Sequence, residues 1–130
     1  MTVRVTVEDC LAIYSQDVHA GVLADRGKLE GAINGPFGGM YDYEFYPTVL
    51  EKAAQLTFRI AEAQAFTDGN KRLAWLVTVV FLDLNDTWLD LTEDEAAEAV
   101  WSLGRKTLDV RGLLDLYTER AHFWERHAAD

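Results

Sequence analysis

The chain has 130 residues, of which 49% are hydrophobic and 12% aromatic, so it fits one domain with a real core and is not a disordered segment. Acidic residues number 22 and basic ones 12, a formal charge of −10, which disfavours general binding to nucleic acid or to an anionic membrane. An anion site in such a chain must be built locally, against the overall field.

Thr6 is placed to cap a first helix that buries Val7, Cys10, Leu11 and Tyr14. Asp25 or Arg26 opens a shorter helix through Leu29 and Ala32, stopped near Gly35-Pro36. The stretch from Gly38 to Tyr46 carries Tyr41, Tyr43 and Phe45 at a period of two, which predicts a short extended arm or hairpin. Pro47 suits the first turn of the next helix, whose apolar residues from Leu50 to Ile60 recur at helical spacing and carry it to about Ala63. Phe66 to Asn70 reads as a turn. Leu73 to Leu84 is apolar on nearly every side, as expected of a central helix surrounded by others. After a break at Asn85-Asp86 comes a short alternation, Trp88 to Leu91. Thr92 and Glu95 form a capping box for a helix to about Gly104. Asp109 caps a last helix expected to carry Leu113, Leu114, Leu116, Tyr117 and Trp124. The expected fold is a single all-α domain over residues 1–130: a compact bundle of about six helices around a buried central helix, with a small extended flap.

The single cysteine, Cys10, excludes an intramolecular disulfide, and no Cys/His group has zinc spacing. No basic, then apolar leader opens the chain, and the longest apolar stretch is too short to span a bilayer, so a cytoplasmic domain is expected.

The chemistry is concentrated in Gln64-Ala65-Phe66-Thr67-Asp68-Gly69-Asn70-Lys71-Arg72. Asp68 sits where an N-cap belongs, and Gly69 permits a tight turn. Lys71 and Arg72 then occupy the first turn of the most hydrophobic helix, where the macrodipole disfavours cations by about 0.3–1 kcal/mol each. An anion would reverse that cost. Free N–H groups, a glycine turn and two cations make a phosphate cradle, and a nearby carboxylate can hold Mg²⁺ that bridges phosphates. The bland alternative is a cap, a turn and two solvated charges.

The string resembles the signature of the Fic/Doc superfamily, H-x-F-x-[DE]-[AG]-N-[KG]-R, at Phe66, Asp68, Gly69, Asn70, Lys71 and Arg72. Leu29-Glu30-Gly31-Ala32 with Pro36-Phe37 resembles the segment before the family's flap, and Trp88 to Glu95 resembles the stretch after its central helix. AMP-transferring members carry glycine where this chain has Lys71 and a second arginine where it has Trp75. Lysine without that arginine is similar to the Doc toxin branch. The resemblance implies a kinase that transfers phosphate from ATP, with Mg²⁺, to a threonine of a translation elongation factor. It implies Asp68 on the metal, Gly69, Asn70, Lys71 and Arg72 on phosphates, and Phe66 as an anchor of the loop. The arm bearing Tyr41, Tyr43 and Phe45 would be the target-docking flap. No Ser or Thr here has glutamate four residues on, so the family's built-in inhibitory pattern is missing. A separate Phd-like antitoxin is then the implied partner, laying a helix into a groove of the bundle.

One position departs. The family's general-base histidine falls on Gln64, whose amide cannot take up a proton near neutral pH. A positioned base contributes about 10²–10⁴-fold in rate, so this chain is expected to be impaired or inactive while its cradle survives. Gln64 thus either is natural and marks a binding-only pseudo-enzyme, or replaces a histidine so that a toxic protein can be produced; more plainly, its amide could just end a helix on backbone. The histidines His19, His122 and His127 are read as surface residues, and Trp75, Trp88, Trp101 and Trp124 as core or interface.

Overall fold

A computed structural model of the chain describes residues 1–125. Among them are six α-helices: α1 Val7–Ile13, α2 Arg26–Asn34, α3 Val49–Ala63, α4 Asn70–Leu84, α5 Glu93–Gly104 and α6 Val110–Arg120. Two small antiparallel pairs accompany them: β1 Gly39–Met40 with β2 Tyr43–Glu44, and β3 Thr87–Leu89 with β4 Ala121–Phe123. A π-helical turn, Tyr14–Val18, follows α1, and a 3₁₀ turn, Gly35–Phe37, follows α2. The all-α reading therefore holds. No helix among the described residues is long and apolar enough to cross a membrane.

Helix starts follow local chemistry. Thr6 and Thr92 each close a capping box, with Asp9 and Glu95 as the reciprocal partners. Asp25 and Asp109 accept from the N–H groups of Lys28 and Gly112. Pro47 lies outside α3 rather than in its first turn, because the Thr48 hydroxyl accepts from Glu51 N–H and takes the cap. Trp124 is not on α6: the chain turns extended at Ala121, pairs with β3, and donates Trp124 N–H to Asp86.

Helices α3 and α4 form the central pair. Helices α2 and α6 pack on α3, α1 packs on α4, and α5 touches both. Leu56, Ile60, Leu73, Val77, Phe81 and Leu113 are fully buried between them. Truncating such a leucine to alanine costs about 2–5 kcal/mol. The Thr57 hydroxyl sits at the centre of this core, bonded to Thr78 of α4 and, at 2.9 Å, to the Tyr117 hydroxyl of α6. Burial keeps the Tyr117 phenol protonated well above the usual range, and the Cys10 thiol is likewise pushed up to about 12.

The expectation that α4 is enclosed on every side needs correction. Its far strip stays open, with Val79 and Leu84 each more than 40% exposed. An apolar helix can present a second apolar face as well as fill a core.

Candidate functional site

The loop between α3 and α4 is held from three sides. Helix α3 ends at Gln64, which adopts the left-handed conformation (φ 53°) and donates its side-chain amide to the Ala61 carbonyl at 3.4 Å. The next carbonyl, of Ala65, accepts from Ala24 and Asp25 N–H. Thr67 N–H reaches the Val22 carbonyl, and Val22 N–H returns to the Thr67 hydroxyl at 3.0 Å. From the π-turn, the Tyr14 hydroxyl donates to the Asp68 carbonyl at 2.9 Å, while its ring stacks 3.8 Å from Phe66. Phe66 is thus the buried anchor of the loop.

Inside the loop, Asn70 closes the turn. Its amide oxygen accepts Phe66 N–H at 3.0 Å, and its amide nitrogen donates to the Phe66 carbonyl at 2.8 Å. Both polar ends of this buried side chain are therefore occupied by backbone, and what Asn70 presents outward is its own N–H. Gly69 is the N-cap of α4, with φ +80°, in place of Asp68. A Cβ at Gly69 would lie 2.5 Å from Val18 Cγ1, so the position demands both glycine's conformational range and its missing side chain. Asp68 sits one residue earlier, and one of its carboxylate oxygens takes the Gly69 N–H at 2.7 Å.

The first intrahelical bond of α4 runs from Leu73 N–H to the Gly69 carbonyl, and no side chain caps the helix. The N–H groups of Asn70, Lys71 and Arg72 therefore precede the ladder, at the positive end of the macrodipole. The two cations of this turn diverge. Arg72 donates to the Asp17 carbonyl at 3.3 Å, and Lys71 turns toward α5, its Nζ 4.7 Å from the centre of the Trp101 ring. Gln64 and Lys71 share a cleft of about 180 Å³ with Lys106. Chemically this is a set of backbone donors on a loop braced by hydrogen bonds, with one exposed carboxylate beside it. The loop's two ends are tied to residues 14–25, a support that local sequence does not signal.

The arm is a hairpin, but Tyr41 lies on its turn rather than on a strand. It is fully exposed with φ 56°. Tyr43 and Phe45 are exposed and meet edge to face at 6.0 Å. The base of the arm is latched by Lys52, a buried lysine of α3 whose ammonium donates to the Tyr46 carbonyl and pairs with Glu44 at 3.2 Å. Neither that latch nor the guanidinium of Arg59 on the Tyr46 hydroxyl at 3.2 Å was visible in the sequence pattern. His19 and His122 are exposed, and His127 lies outside the described residues. No group of three or more His, Cys, Asp and Glu side chains among the described residues is arranged to hold a metal.

The sequence model described as "Fic/DOC family" matches residues 5–82. This span takes in the arm, the loop and most of α4. A curated protein, "Toxin Doc" of Mycolicibacterium smegmatis (strain ATCC 700084 / mc(2)155), is 33% identical over 88 residues, covering 66% of this chain and 68% of that protein.

Proposed function

This chain belongs to the Fic/DOC family, and on that premise we propose that it is the toxin half of a toxin–antitoxin pair. Its site is that of a Doc-like kinase which transfers the γ-phosphate of ATP to a threonine of a translation elongation factor. The observation that carries the reading is the braced loop: the Asn70–Phe66 clasp and the Tyr14–Asp68 bond hold three helix-start N–H groups in place before any ligand arrives. Phosphoryl transfer asks mainly for positioning and charge neutralisation, which such a cradle supplies without reorganisation.

The roles follow from position. The N–H groups of Asn70, Lys71 and Arg72 take phosphate oxygens, and the two side-chain cations offset the charge that spreads over them. Asp68 keeps one carboxylate oxygen beyond its bond to Gly69. A lone carboxylate fits Mg²⁺ delivered with ATP, which prefers one or two protein carboxylates plus phosphates; Asp68 would hold the ion, and its charge would offset that of the phosphates. In the transfer, the threonine oxygen bonds to the γ-phosphorus as the bond to the bridging oxygen breaks and ADP leaves; the hydroxyl proton goes to the base at position 64 when histidine stands there, and to solvent when glutamine does. Gln64 can accept the hydroxyl's hydrogen bond but cannot remove its proton. The flap's exposed strands suit docking of a target segment by strand addition. The apolar groove of about 270 Å³ between α4 and β3, which includes Trp75, Val79 and Trp88, suits a helix of a Phd-like antitoxin.

The test is the Gln64→His variant incubated with Mg-ATP and purified elongation factor, followed by mass analysis of the factor. A threonine carrying phosphate supports the kinase reading. Transfer of AMP would overturn it. A second reading, a binding-only member of the family, is favoured by the Gln64 amide already committed to the Ala61 carbonyl; it predicts nucleotide binding with no transfer by either form.

A further inference from the structure

The first turn of α4 opens onto two clefts. One, of about 180 Å³, holds Gln64 and Lys71. The other, of about 170 Å³, lies between α4 and α5 and is lined by Lys71, Arg72 and Trp75 on one side and by Glu93, Val100 and Trp101 on the other. Lys71 and Val100 line both, so the clefts meet at the lysine. The second is smaller than the roughly 300–1,000 Å³ of a site for a whole ligand, and suits a single ring system.

We infer that this second cleft holds the base of an adenine nucleotide, stacked on Trp101, while the phosphates run across Lys71 toward Gln64. The inference rests on the ATP reading above and extends it to residues outside the motif. Trp101 is 53% exposed, the most of the exposed tryptophans among the described residues, and its face is covered by the Lys71 ammonium at 4.7 Å. A cation on a half-exposed ring is held more weakly than one bonded to phosphate. Phosphate binding therefore draws Lys71 away and bares the indole face beside the place where the phosphate chain ends. Every base offers a π-face to such a platform. The Glu93 carboxylate, at the start of α5 on the same wall as Trp101, is an acceptor only, so at the end of the cleft it favours a base with an exocyclic amino group. Trp101, read from sequence as core or interface, becomes a ligand contact.

The test compares two probes by calorimetry: Mg-ATP and Mg-tripolyphosphate, which has no base. Trp101→Ala should weaken ATP binding about 5- to 150-fold and leave tripolyphosphate no weaker. Trp101→Phe should restore most of the ATP affinity. Inosine triphosphate should bind more weakly than ATP, and Glu93→Gln should narrow that gap. Quenching of tryptophan fluorescence by ATP should be smaller in Trp101→Ala. If ATP affinity is unchanged in Trp101→Ala, the base lies elsewhere and this inference falls while the ATP reading stands. An equal loss for both probes also overturns it, because the indole then acts through Lys71. If the intact chain binds neither probe, the ATP reading falls as well.

Discussion

Replacing Gly69 by alanine probes the turn that opens α4. Two penalties meet at this residue. Its φ of +80° lies in the left-handed region, which costs an L-residue about 1–2 kcal/mol. The added Cβ would also sit 2.5 Å from Val18 Cγ1 and 3.2 Å from Ala20 Cβ, and overpacking of that kind costs about 1–3 kcal/mol. Against these, alanine restricts the unfolded chain and returns about 0.4–1 kcal/mol. Gly69→Ala should therefore destabilise by about 1–5 kcal/mol. In a Val18→Ala background the closest contact is removed, leaving the backbone penalty and the milder approach to Ala20 Cβ, so the same change should cost about 0–2 kcal/mol. The assay is urea unfolding of the four proteins of the cycle, read as midpoint shifts at constant m. A coupling of about 1–3 kcal/mol between the two positions is expected. Additivity within about 0.5 kcal/mol would refute the packing argument. A neutral Gly69→Ala would refute the turn itself.

Four further outcomes follow from the packing. Tyr117→Phe removes a hydroxyl from the buried Thr57–Thr78 cluster and should cost about 1–2 kcal/mol in the same unfolding assay; no loss would mean that the cluster is not load-sharing. Because the folded Tyr117 holds its proton above the ordinary range, the stability it lends is complete below about pH 10 and is lost as pH rises from there toward the folded value. Absorbance titration should accordingly show one tyrosine that ionises only as the chain unfolds in alkali. The Glu95 carboxyl is held down at about 2, first by Thr92 N–H and then by Arg120. Its contribution is present above the ordinary carboxylate range and lost as pH falls through about 2; NMR titration of Arg120→Met should raise the midpoint only part-way, and a full return to the ordinary value would contradict the primacy of the backbone bond. Lys52→Met removes the ammonium that latches the arm through Glu44 and the Tyr46 carbonyl. Proteolysis within residues 39–46 should quicken in this variant, and an unchanged rate would show that the latch does not hold the flap.

What could be read from the sequence was what is encoded over a few residues. The starts at Thr6, Asp25, Thr92 and Asp109 are caps, written within three or four positions of one another. The helical stretch of α3 follows its apolar period, and the end of α5 was legible at Gly104. The misses are of another kind. Trp124 left α6 because β4 pairs with β3, some thirty residues back in the chain, and no local pattern specifies that. Tyr41 fits a period of two, yet it sits in a turn because the register pairs Met40 with Tyr43 around it. At the loop, Asp68 looked like the cap because carboxylates usually are; the left-handed Gly69, wedged against Val18, displaced it. The motif residues were visible, but their support was not. Tyr14, Val22 and Thr67 hold the loop through contacts that span some forty to fifty residues of sequence. The turning of Lys71 onto Trp101 was equally out of reach, since it depends on how α4 and α5 pack.

On the proposed kinase reading, one side chain separates the phosphate cradle from a working site. The most direct measurement sets γ-phosphate transfer beside Mg-ATP affinity for the chain and for Gln64→His, with purified elongation factor as acceptor. The two forms should bind Mg-ATP with similar affinity, and transfer should be about 10²–10⁴-fold faster in the histidine form. Equal and negligible transfer by both forms, with ATP bound equally well, would contradict that reading.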